Sequence, residues 1–389
     1  MGTLSDAVAF PSRNTMNDYD VAVVGGGLLG SAFAFGLAAM RLRVALFDEG
    51  DIAIRAARGN FGLVWVQGKG RGMREYARWT LHSSQLWSGF ARRLADETGI
   101  DVGFHRPGGF HVAIDHEEHA RNLALLQQLR DEAGDEGYAF EVLEHAALKK
   151  ALPGIGADVP GGTYCPHDGH ANPLKLLRAL HHGFQQNGGT YLPRRRVTDI
   201  APVDGGGFKL DAANDLLQVR AEKVVIAAGH GSLALARQLD LQVPVFPVQG
   251  QIVVTEKARL RFNYPTNYVR QTDEGNYLLG PSERDVGYDS NTESVTLRNI
   301  ARQCSRAFPF LRELRVQRAW AALRIMTPDG FPIYDQSPTY PGVFSFACHS
   351  GVTLAAVHTL DACAWIRQGA IPQAYDCFSA KRFDVQTYA

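Results

Sequence analysis

The sequence predicts an α/β protein in which a domain built on a parallel sheet is assembled from pieces separated along the chain by a second, α+β domain built on an antiparallel sheet. Three observations carry that reading. Asp20-Val-Ala-Val-Val24 and Arg43-Val-Ala-Leu-Phe47 are short apolar runs on either side of an Ala/Leu/Phe-rich helical stretch, 28–40, the pattern of a βαβ unit. Ala221-Glu-Lys-Val-Val-Ile-Ala-Ala228 reads as a further buried strand, again ending in glycine. Residues 243–279 instead alternate at period two, with a turn signal at Thr272-Asp-Glu-Gly275, as half-buried antiparallel strands do.

The remaining elements follow in order. A polar leader, 1–17, is expected to be mobile. An amphipathic helix is predicted over 74–98, a strand over 108–114 and a charged helix over 117–133. Pro and Gly punctuation marks 153–173 as irregular, a helix follows over 174–186, and Val197 begins a run of short strands. The chain ends with a strand over 343–347, a glycine turn at Gly351 and a helix over 352–368. Residues 18–98, 165–238 and 322–389 are assigned to the parallel, nucleotide-binding domain, and 99–164 and 239–321 to a substrate domain.

Composition bounds the functional classes. The chain has 389 residues, 45% of them hydrophobic, with 40 Lys plus Arg against 40 Asp plus Glu. At roughly 100–200 residues per domain, that length holds two or three structural units around a large buried core. Zero formal net charge argues against DNA or RNA as partner, because nucleic-acid binders carry a basic excess that neutralises phosphates. Cys165, Cys304, Cys348, Cys363 and Cys377 include no C-x-x-C pair, which excludes a disulfide framework and a cysteine-built metal site. Residues 1–18 lack the basic-then-apolar layout of a signal peptide and Asp6 breaks the myristoylation pattern, so a reducing, cytoplasmic compartment is expected. Glycines, Arg41 and Arg43 interrupt the longest apolar window, 21–47, and no membrane span is expected.

Gly25-Gly-Gly27-Leu28-Leu29-Gly30 fits G-x-G-x-x-G between the first strand and the first helix. Gly25 makes the tight turn, Gly27 lets backbone approach a pyrophosphate and Gly30 lets helix and strand pack closely. The helix N-terminus adds free N–H groups and a partial charge of about half a unit. Eighteen residues past Gly30, Asp48 is placed to accept ribose hydroxyls, with Glu49 as its neighbouring rival. The glycine loop does not distinguish FAD from NAD. Ala227-Ala228-Gly229-His-Gly231 and the pair Thr327-Pro-Asp-Gly330 and Cys348-His349-Ser350-Gly351-Val352-Thr353 favour FAD: a helix starting near Val352 would aim its N–H groups at the pyrimidine edge of a flavin.

Together these motifs resemble the D-amino-acid oxidase superfamily of FAD-dependent amine oxidoreductases, over nearly the whole chain from about Asp20. Arg58-Gly-Asn60-Phe-Gly62-Leu63-Val-Trp-Val-Gln-Gly-Lys-Gly70 and Cys348-His-Ser-Gly-Val-Thr-Leu354 look most like the β subunits of opine (octopine or nopaline) oxidases and hydroxyproline dehydrogenases and the C-type subunit of hydrogen cyanide synthase. The resemblance implies a FAD-binding domain of the glutathione-reductase type. It implies FAD on Gly25, Gly27, Leu28, Leu29, Gly30 and Asp48, with Asn60, Gly62 and Leu63 near the flavin and Val197 near the adenine. Ala228 and Gly229 are implied to border the cofactor, and His349, Ser350, Gly351, Val352 and Thr353 its pyrimidine edge. It also implies an α subunit carrying further redox centres. Monomeric sarcosine oxidases tie flavin to a cysteine shortly before the segment matching Thr327-Pro-Asp329; here Ala321, Ala322 and Leu323 stand nearby, which points to noncovalent FAD.

Oxidising an amino acid at Cα requires a grip on its carboxylate, a neutral amine and a Cα–H within roughly 3.5 Å of the hydride acceptor. Arginine suits the grip, since its planar fork matches a carboxylate and stays charged when desolvated. Arg324 matches the family's carboxylate-binding arginine, bordering substrate and cofactor alike; the alternative is an arginine paired with a surface acid. Tyr268, which resembles the substrate-contacting tyrosine region of glycine oxidase, and Arg270 stand two apart and are expected to share a strand face. Arg270 is one candidate for the second cation that a dicarboxylate opine requires, and a solvated sheet face is the alternative. His116-Glu-Glu-His119 and His167-Asp-Gly-His170 look ligand-like, but no third ligand stands at metal spacing, so solvated or loop-structuring roles are expected and no metal. No G-x-S-x-G elbow exists. The expected activity is oxidation of a CH–NH bond in an amino acid, imino acid or opine, with electrons passed to a partner subunit or to O₂. A flavin hydroxylase and an electron-relay subunit without its own substrate are the competing classes.

Overall fold

The computed structural model describes residues 17–50, 56–133, 139–213, 218–259 and 263–384. The expected leader lies outside them, apart from Asn17. The apolar runs at 20–24, 43–47, 221–228 and 343–347 become neighbours in one eight-stranded sheet. β1 (Asn17–Val24), β2 (Val44–Phe47), β8 (Thr190–Leu192), β11 (Val219–Ile226) and β17 (Val343–Ala347) run parallel in the order β17-β11-β1-β2-β8. β16 (Ile333–Gln336) closes one edge antiparallel to β17. β9 (Val197–Pro202) and β10 (Phe208–Ala212) form an antiparallel ribbon on the first half of β11.

Both faces of this sheet are covered, which is why β1 is apolar at consecutive positions. Val21 and Val23 enter one core with Phe33, Phe35 and Trp87, and Ala22 and Val24 enter the other with Ile200 and Ile226. Each fully buried Val or Phe contributes about 1.5–3 kcal/mol. Helix α1 (Leu28–Ala39) lies between the sheet and α5 (Pro173–Gln186), against which α2 (Arg74–Thr98) packs in turn. Gly99, at φ +70°, stops α2 in the left-handed region.

Two smaller antiparallel sheets lie outside the eight-stranded one. β12 (Phe246–Lys257) pairs along its length with β15 (Val316–Met326), and β13 (Val269–Gln271) and β14 (Asn276–Leu279) complete that sheet, backed by α7 (Ser294–Ala307). β15 runs unbroken through residues 321 and 322, where the sequence reading divides the domains. β4 (Gly109–Ala113), β6 (Gly161–Cys165) and β5 (Glu141–Glu144) form the second sheet, with α3 (His116–Ala133) and α4 (His145–Ala151) beside it. β3 (Leu63–Val64) pairs with β7 (Gly169–His170), and α6 (Ser232–Arg237) follows β11.

Two expectations are corrected here. The stretch 153–173 is not irregular, since it contains the central strand β6. Its glycines serve close packing: a Cβ on Gly161 would stand 2.6 Å from Leu143 O, and one on Gly162 2.6 Å from His111 O. The last helix does not begin near Val352. Residues 351–354 form turns closed by Leu354 N to Ser350 O and Ala355 N to Val352 O, and α8 (Ala355–Val357) leads through a π turn, His358–Ala362, into α9 (Cys363–Gln368).

Candidate active site

Because β1, β2, β11 and β17 are parallel, the loops after Val24, Phe47, Ile226 and Ala347 emerge at one edge of the sheet. They border a cavity of about 1060 Å³, whose other wall comes from β12 and β15.

The glycine loop is shaped by three contacts. Gly25, at φ +114°, turns where a Cβ would stand 2.3 Å from Ala227 O. A Cβ on Gly30 would be 1.8 Å from Gly25 O, so α1 could not start against the loop with any larger residue. A Cβ on Gly27 would meet nothing within 4 Å and would occupy the cavity itself. The first helical bond, Ser31 N to Gly27 O, leaves the preceding N–H groups of α1 for a ligand, and no acid in its first turn opposes an anion. A pyrophosphate fits this cradle.

Asp48 is buried, and its carboxylate accepts from Gly26 N at 2.8 Å and Gly50 N at 2.9 Å. Oδ2 thus holds the glycine loop and Oδ1 the turn at Gly50, and the exposed Glu49 also lines the cavity. The sequence reading gave no role to Gly26, yet a Cβ there would stand 2.4 Å from Asp48 Oδ2.

Leu28, Leu29, Asn60, Leu63, Val197, Ala228 and Gly229 line the same cavity, as do residues 349–353. Gly62 and Gly30 do not; they support the wall from behind. Asn60 Oδ1 accepts from Gly62 N at 2.7 Å. The turn at 350–353 is clamped from two sides. Thr353 O accepts from Trp87 Nε1 and Ser83 Oγ, while Thr353 Oγ1 accepts from Trp65 N. Ser350 Oγ accepts from Lys69 Nζ at 2.7 Å and lies 2.9 Å from Tyr76 Oη.

Arg324 projects from β15 into the cavity, its guanidinium packed over Gly250, where a Cβ would stand 2.7 Å from Nη2. Burial lowers its pKa, and Nη1 is buried with no hydrogen-bond partner. The nearest carboxylate is Glu283, 3.9 Å away and itself 76% exposed. A desolvated fork with an unused donor is a site for an anion. His349 is held neutral, its pKa pushed down to about 3 by burial and then by the positive charges of Lys69 and Arg324.

Tyr268 is corrected: it does not reach the cavity. It lies in a turn where Thr266 Oγ1 accepts from the amides of Tyr268 and Val269, ahead of β13, so the two-residue strand period does not extend to it. Its hydroxyl donates to Glu118 Oε1 at 2.7 Å within a separate apolar core, and burial with that carboxylate raises its pKa. Arg270 is also absent from the cavity wall, and it is not solvated. It is 3% exposed and donates to Phe61 O, and burial pulls its pKa down to about 10 against the attraction of Asp273 and Glu274. It braces the segment carrying Asn60.

Of the His-rich motifs, His116 is exposed and the second motif structures a loop through Asp168, as expected, while His119 departs from expectation. His119 is buried, with neither ring nitrogen hydrogen-bonded, and His170 belongs to β7, where burial first and Arg270 second push its pKa down to about 3. Asp168 between His167 and His170 is fully buried, accepts from Val66 N, Gln67 N and Gln67 Nε2, and is pushed up to about 7 by burial against those bonds. It fixes the loop that carries Trp65 and Lys69. The motif signals a loop-structuring role but not which loop, because its partners are about a hundred residues away. Among the described residues no group of three or more His, Cys, Asp or Glu is placed to hold a metal ion, and no helix is long and apolar enough to cross a membrane.

Comparison with known proteins agrees with this geometry. The family described as FAD dependent oxidoreductase (DAO) matches residues 20–359. The B-type subunit of opine oxidase from Rhizobium meliloti is 39% identical over 371 residues, covering 95% of this chain and 99% of that protein. Glycine oxidase of Geobacillus kaustophilus (strain HTA426) is 28% identical over 346 residues, 87% of this chain and 90% of that protein. The crystal structure of glycine oxidase from Geobacillus kaustophilus superposes with a TM-score of 0.85 at 25% identity, covering 94% of this chain and 99% of that one.

Proposed function

The chain belongs to the FAD dependent oxidoreductase family, and we propose that it is the catalytic β subunit of a hetero-oligomeric opine or hydroxyproline dehydrogenase. Bound FAD supplies the hydride acceptor for the carbon next to the substrate nitrogen. Gly25, Gly27 and the start of α1 hold the pyrophosphate, Asp48 and Glu49 the ribose end, and residues 349–353 the pyrimidine edge. Arg324 holds the substrate carboxylate by two parallel bonds and so fixes the Cα–H toward the ring. Burial, and after it the charges of Lys69 and Arg324, keep His349 neutral, so the ring adds no charge of its own beside them. FAD is held noncovalently in this reading, because Ala321, Ala322 and Leu323 stand near where monomeric sarcosine oxidases carry the flavin-tethering cysteine.

The observation that carries this reading is the buried Nη1 of Arg324, which has no hydrogen-bond partner and only the exposed Glu283 at 3.9 Å, on a cavity that starts at the glycine loop. A relay protein has no need of it. The hetero-oligomer is supported by the likeness to the opine oxidase B-type chain over nearly the full length of both proteins, whose name as a B subunit implies another subunit beside it; in this reading that subunit takes the electrons. The likeness to glycine oxidase supports a second reading, a single-component oxidase of small amino acids that uses O₂. Anaerobic mixing of FAD-loaded protein with octopine, nopaline, D-hydroxyproline, sarcosine and D-alanine tests both. Reduction by an opine or hydroxyproline, with slow reoxidation in air, is expected. Reduction by sarcosine or D-alanine alone, with rapid reoxidation, would support the second reading.

A further inference from the structure

A substrate with two carboxylates on one secondary amine needs two cationic grips, and Arg270 does not reach the cavity. We propose that Lys69 is the second grip, pairing with Arg324 to select dicarboxylate amines over monocarboxylate ones. This rests on the reading of Arg324 as the first.

Lys69 lines the cavity and is half-buried. Its ammonium has three donors, and Ser350 Oγ at 2.7 Å takes one. No carboxylate of a described residue lies within ion-pair distance of it. Of the acids on the cavity wall, Asp48 bonds to the glycine loop, its neighbour Glu49 follows the same strand, and Glu283 stands by Arg324. Lys69 and Arg324 line the same cavity, and Lys69 is bonded to Ser350, the neighbour of the cavity-lining His349. The other arginines on the wall, Arg195 and Arg196, stand at the Asp48 end, where Arg195 N donates to Asp48 O. Asn267 is closed onto both backbone groups of Val112, and Gln251 onto Gln249 and Glu293 N.

The position of Lys69 is set before any ligand arrives. Its amide donates to Val66 O, Asp168 holds the amides of Val66 and Gln67, and Gly70 packs where a Cβ would stand 2.4 Å from Ala77 N. The charge is therefore offered at a fixed place, and less ordering entropy is lost on binding than at a free surface lysine.

Two inert acids read this out on the FAD-loaded protein: diglycolate, with two carboxylates flanking an ether, and methoxyacetate, with one. Their dissociation constants follow from perturbation of the flavin spectrum and, independently, from calorimetry. Wild type is expected to bind diglycolate about tenfold or more tightly than methoxyacetate, the size of one charge-assisted contact. Lys69→Gln should remove that preference and leave methoxyacetate within twofold, while Lys69→Arg should keep it. Equal wild-type affinity for the two acids, or a Lys69→Gln variant that keeps the preference or weakens both acids alike, overturns the proposal without touching Arg324. Failure of both acids to bind wild type removes the substrate reading and this proposal together. The wild-type comparison needs no variant, so it decides even where Lys69→Gln fails to retain FAD.

Discussion

The carboxylate of Asp48 accepts a 2.8 Å hydrogen bond from the amide of Gly26, so the end of β2 holds the turn after β1 in the shape that admits a pyrophosphate. Both partners are buried side by side, and a Cβ on Gly26 would stand 2.4 Å from that same oxygen. Asp48 cannot swing away, because Gly50 N holds its other oxygen. Gly26→Ala should therefore weaken FAD by about tenfold or more through overpacking of a fixed neighbour. FAD titration into apoprotein checks it; unchanged affinity would mean that the contact does not shape the cofactor loop.

Arg324→Lys keeps the charge and loses the fork. It should lower kcat/KM by about tenfold to a hundredfold, the loss of about 1.5–3 kcal/mol of charge-assisted bonding. FAD content should not change. Steady-state kinetics beside a flavin-to-protein absorbance ratio separate the two effects, and unchanged kinetics would remove the carboxylate assignment.

Tyr268→Phe deletes a hydroxyl bonded to Glu118, not to substrate. It should cost about 1–3 kcal/mol of stability, the effect of leaving a carboxylate oxygen short of a donor. Its kcat/KM should stay within twofold of wild type. A large rise in KM with unchanged melting would return Tyr268 to the substrate site.

Asp168 titrates near pH 7 in the fold because burial outweighs the donors around it, while an unfolded aspartate titrates near the ordinary 3.8. The folded pKa is raised, so the folded state binds the proton more tightly. The contribution is complete below about pH 4 and is lost as pH rises through about 7. Melting curves of wild type minus Asp168→Asn should show this loss across that window. A flat difference would contradict it.

Much of the fold was legible because its signals are local. The glycines at 25, 27 and 30 answer to a positive φ, to backbone atoms closer than a Cβ allows or to the open cavity, and the flanking strands are apolar on both faces. β6 was hidden by the reverse logic: Gly161 and Gly162 read as loop but are small because neighbouring strands press on them. Tyr268 was misplaced because a turn closed by Thr266 looks, in sequence, like the continuation of an alternating strand. Lys69 and Asp168 stood inside motifs the sequence offered, but their roles were not legible there. Their partners, Ser350 and Val66, lie 281 and 102 residues away, a distance only folding closes.

The central claim is that a FAD-loaded cavity brings an anionic amine to Arg324. Anaerobic stopped-flow mixing of the FAD-loaded protein with octopine or nopaline tests it most directly. Bleaching of the oxidised flavin band that saturates with substrate, and that Arg324→Lys slows while leaving the spectrum of the resting protein intact, is the predicted result. Folded protein that holds FAD but is reduced by no amine in the panel, or at the same rate in wild type and variant, would contradict it.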